Sequence, residues 1–473
     1  MQNTDRVWTL VDNKREMFEA LSDRIWEAPE IAYNEYTAVA EHRAMLEAQG
    51  FRVTSDLAGI PTAIMGEAGD EGPVIAILGE YDALPGLSQE AGVAEPQPRP
   101  GDGMGHGCGH NLLGSASLLA ATAVKDWLAE NGIKGRVRYY GCPAEEGGAA
   151  KSFMVRAGCF DDVDIAITWH PMPFAGVNDA LSLANTRIDF TFTGRASHAA
   201  ASPHLGRSAL DAVELMNVGV NYMREHMPSD ARIHYAMIDG GGVAPNVVQS
   251  KATVRYAVRA RDLAEMEQLN VRVKKVAEGA ALMTETTVAF KIISAVSNLM
   301  GNTPLDQAMH RNFERLGPPP FDAADHAFAE QIRATLSPQD IAAPYRRAGL
   351  AVRQDQPLAD AIVPLGLRGE PLLGSTDVGD VSWKVPLVQA DGATIAVGTP
   401  FHSWQLTAQG KSPLAKKGMV HVAKVMAATA LDALQDPALV TRAKADLAAR
   451  QDGNPYISPL PAEVQPPIRP RAG

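Results

Sequence analysis

The run PVIAILG (residues 73–79) and the run GRVRYYGC (135–142) stand on either side of a glycine-rich passage, GDGMGHGCGHNLLG (101–114), that opens a helical pattern reaching about Asn131. Two short β-rich runs joined through a helix describe a parallel crossover, the unit from which sheets covered on both faces are built. VDIAITW (163–169) repeats the signal. Upstream, residues 9–28 and 36–49 place apolar side chains at helical spacing, and FRVTSD (51–56) reads as a strand. Downstream, helices near 303–335, a strand over 393–399 and a long helix over 412–434 return to the same style. The expected fold class is α/β, a mostly parallel sheet flanked by helices, with ligands gathered at the carboxyl ends of its strands.

A different order occupies the middle of the chain. TRIDFTFTG, GRSALDAVELMNVGVNYMREH, ARIHYAMIDG, QSKATVRYAVRA, DLAEMEQLNVRVKKVAEGAAL and TTVAFKIIS read as strand, helix, strand, strand, helix, strand. That is the split β-α-β-β-α-β unit of a ferredoxin-like sandwich. Residues 186–296 are therefore expected to form an inserted domain, with 1–185 and 297–473 making the first one. The proline-rich tail NPYISPLPAEVQPPIRPRAG is expected to run extended over the surface.

Composition narrows the partners. A net charge of -12 opposes nucleic acid and anionic membranes, both of which reward clustered Lys and Arg. No run of about 18 apolar residues is present to span a bilayer, and MQNTDRVWTLVDNKREMFEAL does not read as a signal peptide. Three cysteines, Cys108, Cys142 and Cys159, are an odd, sparse set that fits reduced thiols. The expectation is a cytoplasmic protein that acts on a small molecule.

GHGCGHNLLG admits two chemistries. A phosphate cradle needs a strand directly before the glycines, and LSQEAGVAEPQPRPGDG is a loop. A metal site needs ligands, and Cys108 and His110 lie two apart at a helix start, with His106 as a further candidate. PAEEGG follows a strand with Glu145 and Glu146 side by side, an arrangement that a cation relieves and that lets one carboxylate bind metal while the other acts as a base. VDIAITWHP ends a strand at His170, and AVGTPFHSW carries His402 by the same geometry. Five candidate ligands, Cys108, His110, Glu146, His170 and His402, exceed one tetrahedral zinc and suit two ions sharing a water and the thiolate.

These motifs, their order and the split central unit resemble the two-metal amidohydrolases and peptidases that include carboxypeptidase G, aminoacylase and hippurate hydrolase. The Cys-Gly-His element is similar to the hippurate hydrolase branch. LGEYDALPGLS, YGCPAEEGG, SPHLGRSALDAV, AEGAALMTETTV, STDVGDVSWK and VGTPFHSWQL narrow the likeness to a p-aminobenzoyl-glutamate-cleaving, two-subunit branch. The resemblance covers nearly the whole chain and is weakest over 317–370 and in the tail.

The resemblance implies a zinc-exopeptidase-like catalytic domain, two divalent ions per chain (zinc or manganese), and a lid that makes a homodimer. It implies Glu145 as the general base, Asp82 as an acidic residue orienting a ligand, and His198 as a histidine reaching a partner's site to stabilise the oxyanion. It also places Asn246 and Arg259 on the substrate's carboxylate. Asn111, where the hippurate branch has aspartate after CGH, argues against simple hippurate hydrolysis, and Asn111, Thr376 and Asp377 are candidates for selectivity. The expected activity is cleavage of the amide of an N-acyl amino acid, with p-aminobenzoyl-glutamate first and a second hydrolase subunit as a further partner. Two other readings stand beside it: a hydrolase of dipeptides or other aryl amides, and a non-catalytic binding subunit.

Overall fold

The computed structural model describes residues 3–370 and 374–468. The chain opens with α1 (Asn3–Glu27), α2 (Tyr36–Ala48), β1 (Arg52–Ser55), β2 (Ile64–Ala68) and β3 (Val74–Glu80). It continues through α3 (His110–Asn131), β4 (Arg136–Cys142), α4 (Ala150–Arg156), β5 (Ile165–Met172) and the short β6 (Gly176–Val177). The middle of the chain contributes β7 (Ala184–Thr193), α5 (Ala209–Met223), β8 (Arg232–Asp239), β9 (Lys251–Ala260), α6 (Leu263–Thr284) and β10 (Thr287–Val296). The remainder supplies α7 (Thr303–Leu316), α8 (Ala323–Arg333), α9 (Pro338–Arg347), α10 (Val378–Lys384), β11 (Leu387–Ala393), α11 (Trp404–Gln409), α12 (Pro413–Gln435) and α13 (Pro437–Gln451).

Seven strands form the larger sheet in the order β1-β2-β4-β3-β5-β11-β6. Its centre, β4-β3-β5-β11, is parallel, and its edges are antiparallel. Every residue of β3 is buried, as expected of a strand covered on both faces. Ile75 and Ile77 point into a core shared with α1, α3 and α12, while Val74, Ala76 and Leu78 point the other way, toward Phe153 and Met154 of α4 and Val381 of α10. This period-two alternation places helices on both faces without either face needing polar cover.

The smaller sheet is wholly antiparallel in the order β10-β7-β9-β8. Its even-numbered side chains, among them Ile188, Phe190, Val254 and Tyr256, pack against α5 and α6 in a separate core. Ser208 and Asp262 cap those helices by accepting from the backbone N–H of Asp211 and Glu265. The unit begins at Ala184, two residues before the expected boundary, and its first and last strands lie side by side with Asn185 opposite Val296.

Three expectations change. The late strand lies at Leu387–Ala393 and not over 393–399, because beyond Ala393 the backbone N–H groups find other partners: Ala396 donates to the Gln409 side chain and Val397 to the Pro357 carbonyl. β2 escapes the sequence pattern because IMGEA is short and interrupted by Gly66, which closely faces Leu46. The tail is not a surface strap alone. Leu460 and Val464 are buried, and Arg156 donates to the carbonyls of Pro461 and Val464. Residues 469–473 of that tail lie outside the described residues.

Helix α12 crosses the end of β11 so closely that a Cβ on Gly418 would sit 1.9 Å from the Ala393 carbonyl oxygen. Gly418→Ala is expected to lower unfolding free energy by about 1–3 kcal/mol, the usual cost of overpacking, as read by denaturant titration.

Candidate metal centre

The donor side chains leave the larger sheet at the carboxyl ends of its parallel strands. Glu80 ends β3, Asp82 follows it, Glu145 and Glu146 occupy the turn after β4, and His170 lies near the end of β5. His402 comes from the loop between β11 and α11, and Cys108 and His110 flank the start of α3. Gly109, the residue before that helix, has φ +76°, a conformation open to glycine that turns the chain between the two side chains.

Two donor sets result, each with its atoms within 4.8 Å of one another: Cys108, His110 and His170, and Cys108, Glu146 and His402. They share the Cys108 sulfur. His170 Nε2 lies 3.4 Å from that sulfur, while its Nδ1 faces the Pro171 carbonyl at 3.0 Å. Asp82 Oδ1 accepts from His110 Nδ1 at 2.9 Å, which turns His110 Nε2 into the site. Asp82 Oδ2 accepts from the Glu146 backbone at 2.9 Å, and Glu146 Oε2 lies 3.3 Å from His402 Nε2. The five sequence-derived ligands, Asp82 and Glu145 are thus gathered in one place.

Electrostatics divide the two adjacent glutamates. Burial, then the charges of Glu80, Glu146 and Asp377, push the Glu145 carboxyl well above the ordinary range. Glu146 goes the other way: burial opposes ionisation, but the hydrogen bond from His402 and the nearby His110 hold it low. A pair of carboxyls driven apart in this manner is a pair with separate roles, one able to carry a proton and one fixed as an anion.

Sequence reasoning missed three residues here. Glu80 joins His110 and Glu145 in a third cluster within 4.8 Å. Lys151 is fully buried, its ammonium 2.7 Å from Glu80 and 2.6 Å from Asp377. Glu35 is also fully buried and accepts the backbone N–H groups of Tyr33 and Ala144, each at 2.9 Å; burial and then Asp82 push its carboxyl up to about 8. The only available signal was the acidic residue preceding a helix in NEYTA, which reads equally well as a cap.

The turn that carries Glu145 and Glu146 is strained, with Ala144 at φ +58° and Ala149 at φ +55°. Four residues from three segments hold it: Glu35 takes Ala144 N–H, Asp82 takes Glu146 N–H, the Tyr33 hydroxyl donates to Gly148 O at 2.7 Å, and Arg187 Nη1 donates to Gly147 O at 3.0 Å.

Other candidates fall elsewhere. His106 is buried with Nε2 on the Ile25 carbonyl at 3.1 Å, and so ties the loop to α1 instead of joining a donor set. Asn111 donates to Ser22 Oγ and Gly410 O, which makes it a tie between helices and not a selectivity residue. Asp377 pairs with Lys151. Thr376 Oγ1 accepts from the Val378 backbone at the start of α10. His198 and Asn246 are exposed neighbours in the second unit, joined where Ala199 N–H meets Asn246 O at 2.9 Å, and among the described residues no contact links them to the donor sets. The Ala200 and Ala201 backbones donate to His198 Nδ1, so its proton sits on Nε2. Arg259 Nη1 donates to Ser375 Oγ at 3.2 Å.

The residues fit a divalent pair. Glu80 Oε2, His110 Nε2 and Glu146 Oε1 are buried atoms without a hydrogen-bond partner, a costly arrangement that cations relieve. Lys151 neutralises only Glu80 and Asp377 of the clustered carboxylates, and the thiolate, imidazole and carboxylate donors suit a borderline metal. Burial pushes the Cys108 thiol up, and although burial opposes it, Cys108 and Asp82 raise the His110 imidazole well above its ordinary value. Loading must displace protons from both groups. With the proton of Glu145, which the ions' charge also drives off, metal uptake is therefore expected to release roughly three protons and to weaken as pH falls, which calorimetry in buffers of different ionisation enthalpy measures.

Comparison with known proteins gives the same direction. Residues 76–339 match the model of Peptidase family M20/M25/M40. The chain is 46% identical to one of the two named subunits of the p-aminobenzoyl-glutamate hydrolase of Escherichia coli, over 96% of this chain and 97% of that one. It is 30% identical to the Xaa-Arg dipeptidase of Mus musculus over 91% and 88%, respectively. A solved Bacillus subtilis protein, described as a dinuclear metal binding peptidase from the M20 family, superposes with a TM-score of 0.55 at 18% identity, covering 89% of this chain and 98% of that one. The shared donor sets, the parallel sheet that presents them and these matches lead to one conclusion: the chain belongs to Peptidase family M20/M25/M40.

Proposed function

We propose that the chain is a metal-dependent amidohydrolase that cleaves the amide of an N-acyl amino acid, with p-aminobenzoyl-glutamate giving p-aminobenzoate and glutamate. The observation that carries the reading is the pairing of Glu145, an acid able to hold a proton, with Glu146, an anion beside two donor sets that share one sulfur. Cys108, His110, Glu146, His170 and His402 would hold two divalent ions, zinc or manganese. Bound there, the ions supply Lewis acidity that polarises an amide carbonyl and acidifies water. With ions held there, Glu145 would be a carboxylate, the reverse of its metal-free preference. Glu145 takes a proton from water and hands it to the departing amine nitrogen, so no proton is lost from the site over a cycle. Asp82 fixes the His110 tautomer, and Arg259 with Asn246 receives the substrate's carboxylate.

His198 and Asn246 reach a site only through a second copy. The segment 186–296 serves as lid and dimerisation unit. Its edge strand β8 pairs on one side alone, and α5, packed over β7 and β9, exposes Leu215, Val218 and Tyr222 along one stripe. A second hydrolase subunit is a further partner, since the 46% identical relative is itself named as one subunit of a hydrolase. Among the described residues no helix is long and apolar enough to cross a membrane. The three free cysteines support a cytoplasmic setting. A dipeptide substrate is the second reading, favoured by the Xaa-Arg dipeptidase likeness. A purely binding role is disfavoured by the complete donor sets beside Glu145.

Glu145→Gln is expected to keep its metal content and lose about 10²–10⁴-fold in turnover, as metal analysis and a p-aminobenzoate release assay on one preparation read; unchanged turnover would overturn the mechanism. Mixing Glu145→Gln with His198→Ala chains is expected to restore about a quarter of wild-type activity through randomly formed mixed dimers, each holding one intact site. No recovery when the chains are exchanged would place His198 outside the reaction.

A further inference from the structure

The face of the smaller sheet that turns away from α5 and α6 carries Asn185, Arg187 and Asp189 from β7 and Arg255 and Arg259 from β9, at positions that alternate with the buried core residues. Asn185 lies opposite Arg259, and Arg187 follows Asn185 by two residues, so all three share that face. The same face meets the catalytic loops, through Arg187 on Gly147 O and Arg259 on Ser375 Oγ.

Charge on this face is unevenly settled. Arg255 is bound by Asp189 in a two-pronged pair at 2.6 and 2.9 Å. Arg187 and Arg259 have no carboxylate within ion-pair distance among the described residues, although both are more than half buried by neighbouring atoms. Arg259 Nε and Asn185 Oδ1 are buried atoms with no hydrogen-bond partner, and Asn185 is 7% exposed. Burial and then the charge of Arg187 pull the Arg259 guanidinium below its ordinary value, so the two cations feel one another. In a chain of net charge -12, two neighbouring guanidinium groups that no carboxylate pairs directly, one of them feeling Glu145 and Glu146 only through space, offer an anion site.

We infer that Arg187 and Arg259 together form a two-cation cradle that selects substrates whose amine-side residue carries two carboxylates. Arg259 takes the α-carboxylate and Arg187 takes the side-chain carboxylate, with Asn185 Oδ1 accepting from Arg259 Nε or from the amine portion of the ligand. The inference rests on the amidohydrolase reading and extends it: Arg187, assigned no role by that reading, becomes the residue that distinguishes a glutamate-type leaving group from an uncharged one. Its hydrogen bond to Gly147 O sets it beside the Glu145 turn, so the side-chain carboxylate is recognised next to the bond to be broken.

The test compares wild type with Arg187→Met on p-aminobenzoyl-glutamate and on p-aminobenzoyl-glutamine, which differ only in the side-chain carboxylate, with the manganese-loaded full chain. Wild type is expected to prefer the glutamate compound by about 10- to 100-fold in kcat/KM, the range of one charge-assisted contact, and Arg187→Met is expected to erase that preference by losing about that much more on the glutamate compound than on the glutamine compound, whatever loss the release of Gly147 O brings to both. An equal loss on both compounds would mean that Arg187 only pins the Glu145 turn, and would overturn the inference. Calorimetric binding of glutarate against glutaramate to both proteins reads the same discrimination without turnover: tighter glutarate binding that vanishes in Arg187→Met supports the cradle even if neither amide is cleaved, and indifference to the second carboxylate sinks it. Cleavage of neither amide by wild type would instead count against the amidohydrolase reading alone.

Discussion

Beneath the ends of the parallel strands, Glu80, Asp82, Glu145, Glu146 and Asp377 act on one another at close range, and a buried ammonium, that of Lys151, pairs with two of them, Glu80 and Asp377. Like charges at this density are sustained only where cations or protons answer them. Lys151 answers two of the acids, and a proton on Glu145 answers a third in the metal-free chain. The remainder of the negative charge is directed at the donor sets, where unpartnered buried atoms wait on Glu80, His110 and Glu146. The parallel centre of the sheet exists to make this convergence possible, because only parallel neighbours deliver their terminal side chains to one edge. The glycine pair Gly79 and Gly141, in register on β3 and β4, leaves room for the Tyr139 and Tyr81 rings directly below.

The same demand explains the backbone strain. Placing two adjacent glutamates on opposite duties requires their peptide units to turn sharply, and Ala144 and Ala149 take the left-handed conformation to do so. The turn's own bonds, from the Gly148 and Ala149 N–H groups to the Ala144 carbonyl, each at 2.9 Å, close it without fixing it to the site. Tyr33, Glu35, Asp82 and Arg187 hold it from outside, and Tyr33 is itself left-handed at φ +64°. His402, at φ +54°, shows the same pattern on the other side of the site, where its backbone N–H is fixed by Gly107 O at 2.9 Å. Ala144, Ala149 and His402 thus put strain on segments that carry donors, where contacts distant in sequence counterbalance it.

Much of this was legible from residue order. Strands buried on both faces announce themselves as unbroken apolar runs, so β3, β4 and β5 were readable, and the runs of β4 and β5 led to Glu145, Glu146 and His170, whose chemistry pointed to metal. The antiparallel edges were not, because β2 and β6 are short and gain their place by pairing and not by pattern. Strand β11 is easily misplaced because TIAVG is as apolar as LVQADGA, and only the partner offered to each N–H separates them. Of the site, the donors were legible because metal ligands come in recognisable residue types; Glu35 and Lys151 were not, because a buried charge looks like any surface charge until its surroundings are known. His106 misled for the converse reason: its type suggests a ligand, but its ring serves the Ile25 carbonyl.

The order of the donors along the chain carries one more implication. Cys108, His110 and His170 precede the smaller sheet, whereas the set that adds His402 spans it. Since β7 and β10 bring the ends of that sheet back together, Asn185 beside Val296, the intervening residues fold as a detour that leaves the host sheet undisturbed. During synthesis the first set is complete once residue 170 has emerged, while the second awaits β11 and the loop that follows it. Of the two sets that share the Cys108 sulfur, a chain stalled before residue 402 therefore holds the donors of one and not of the other, so full occupancy of both sets would report that translation and folding have run nearly to the end.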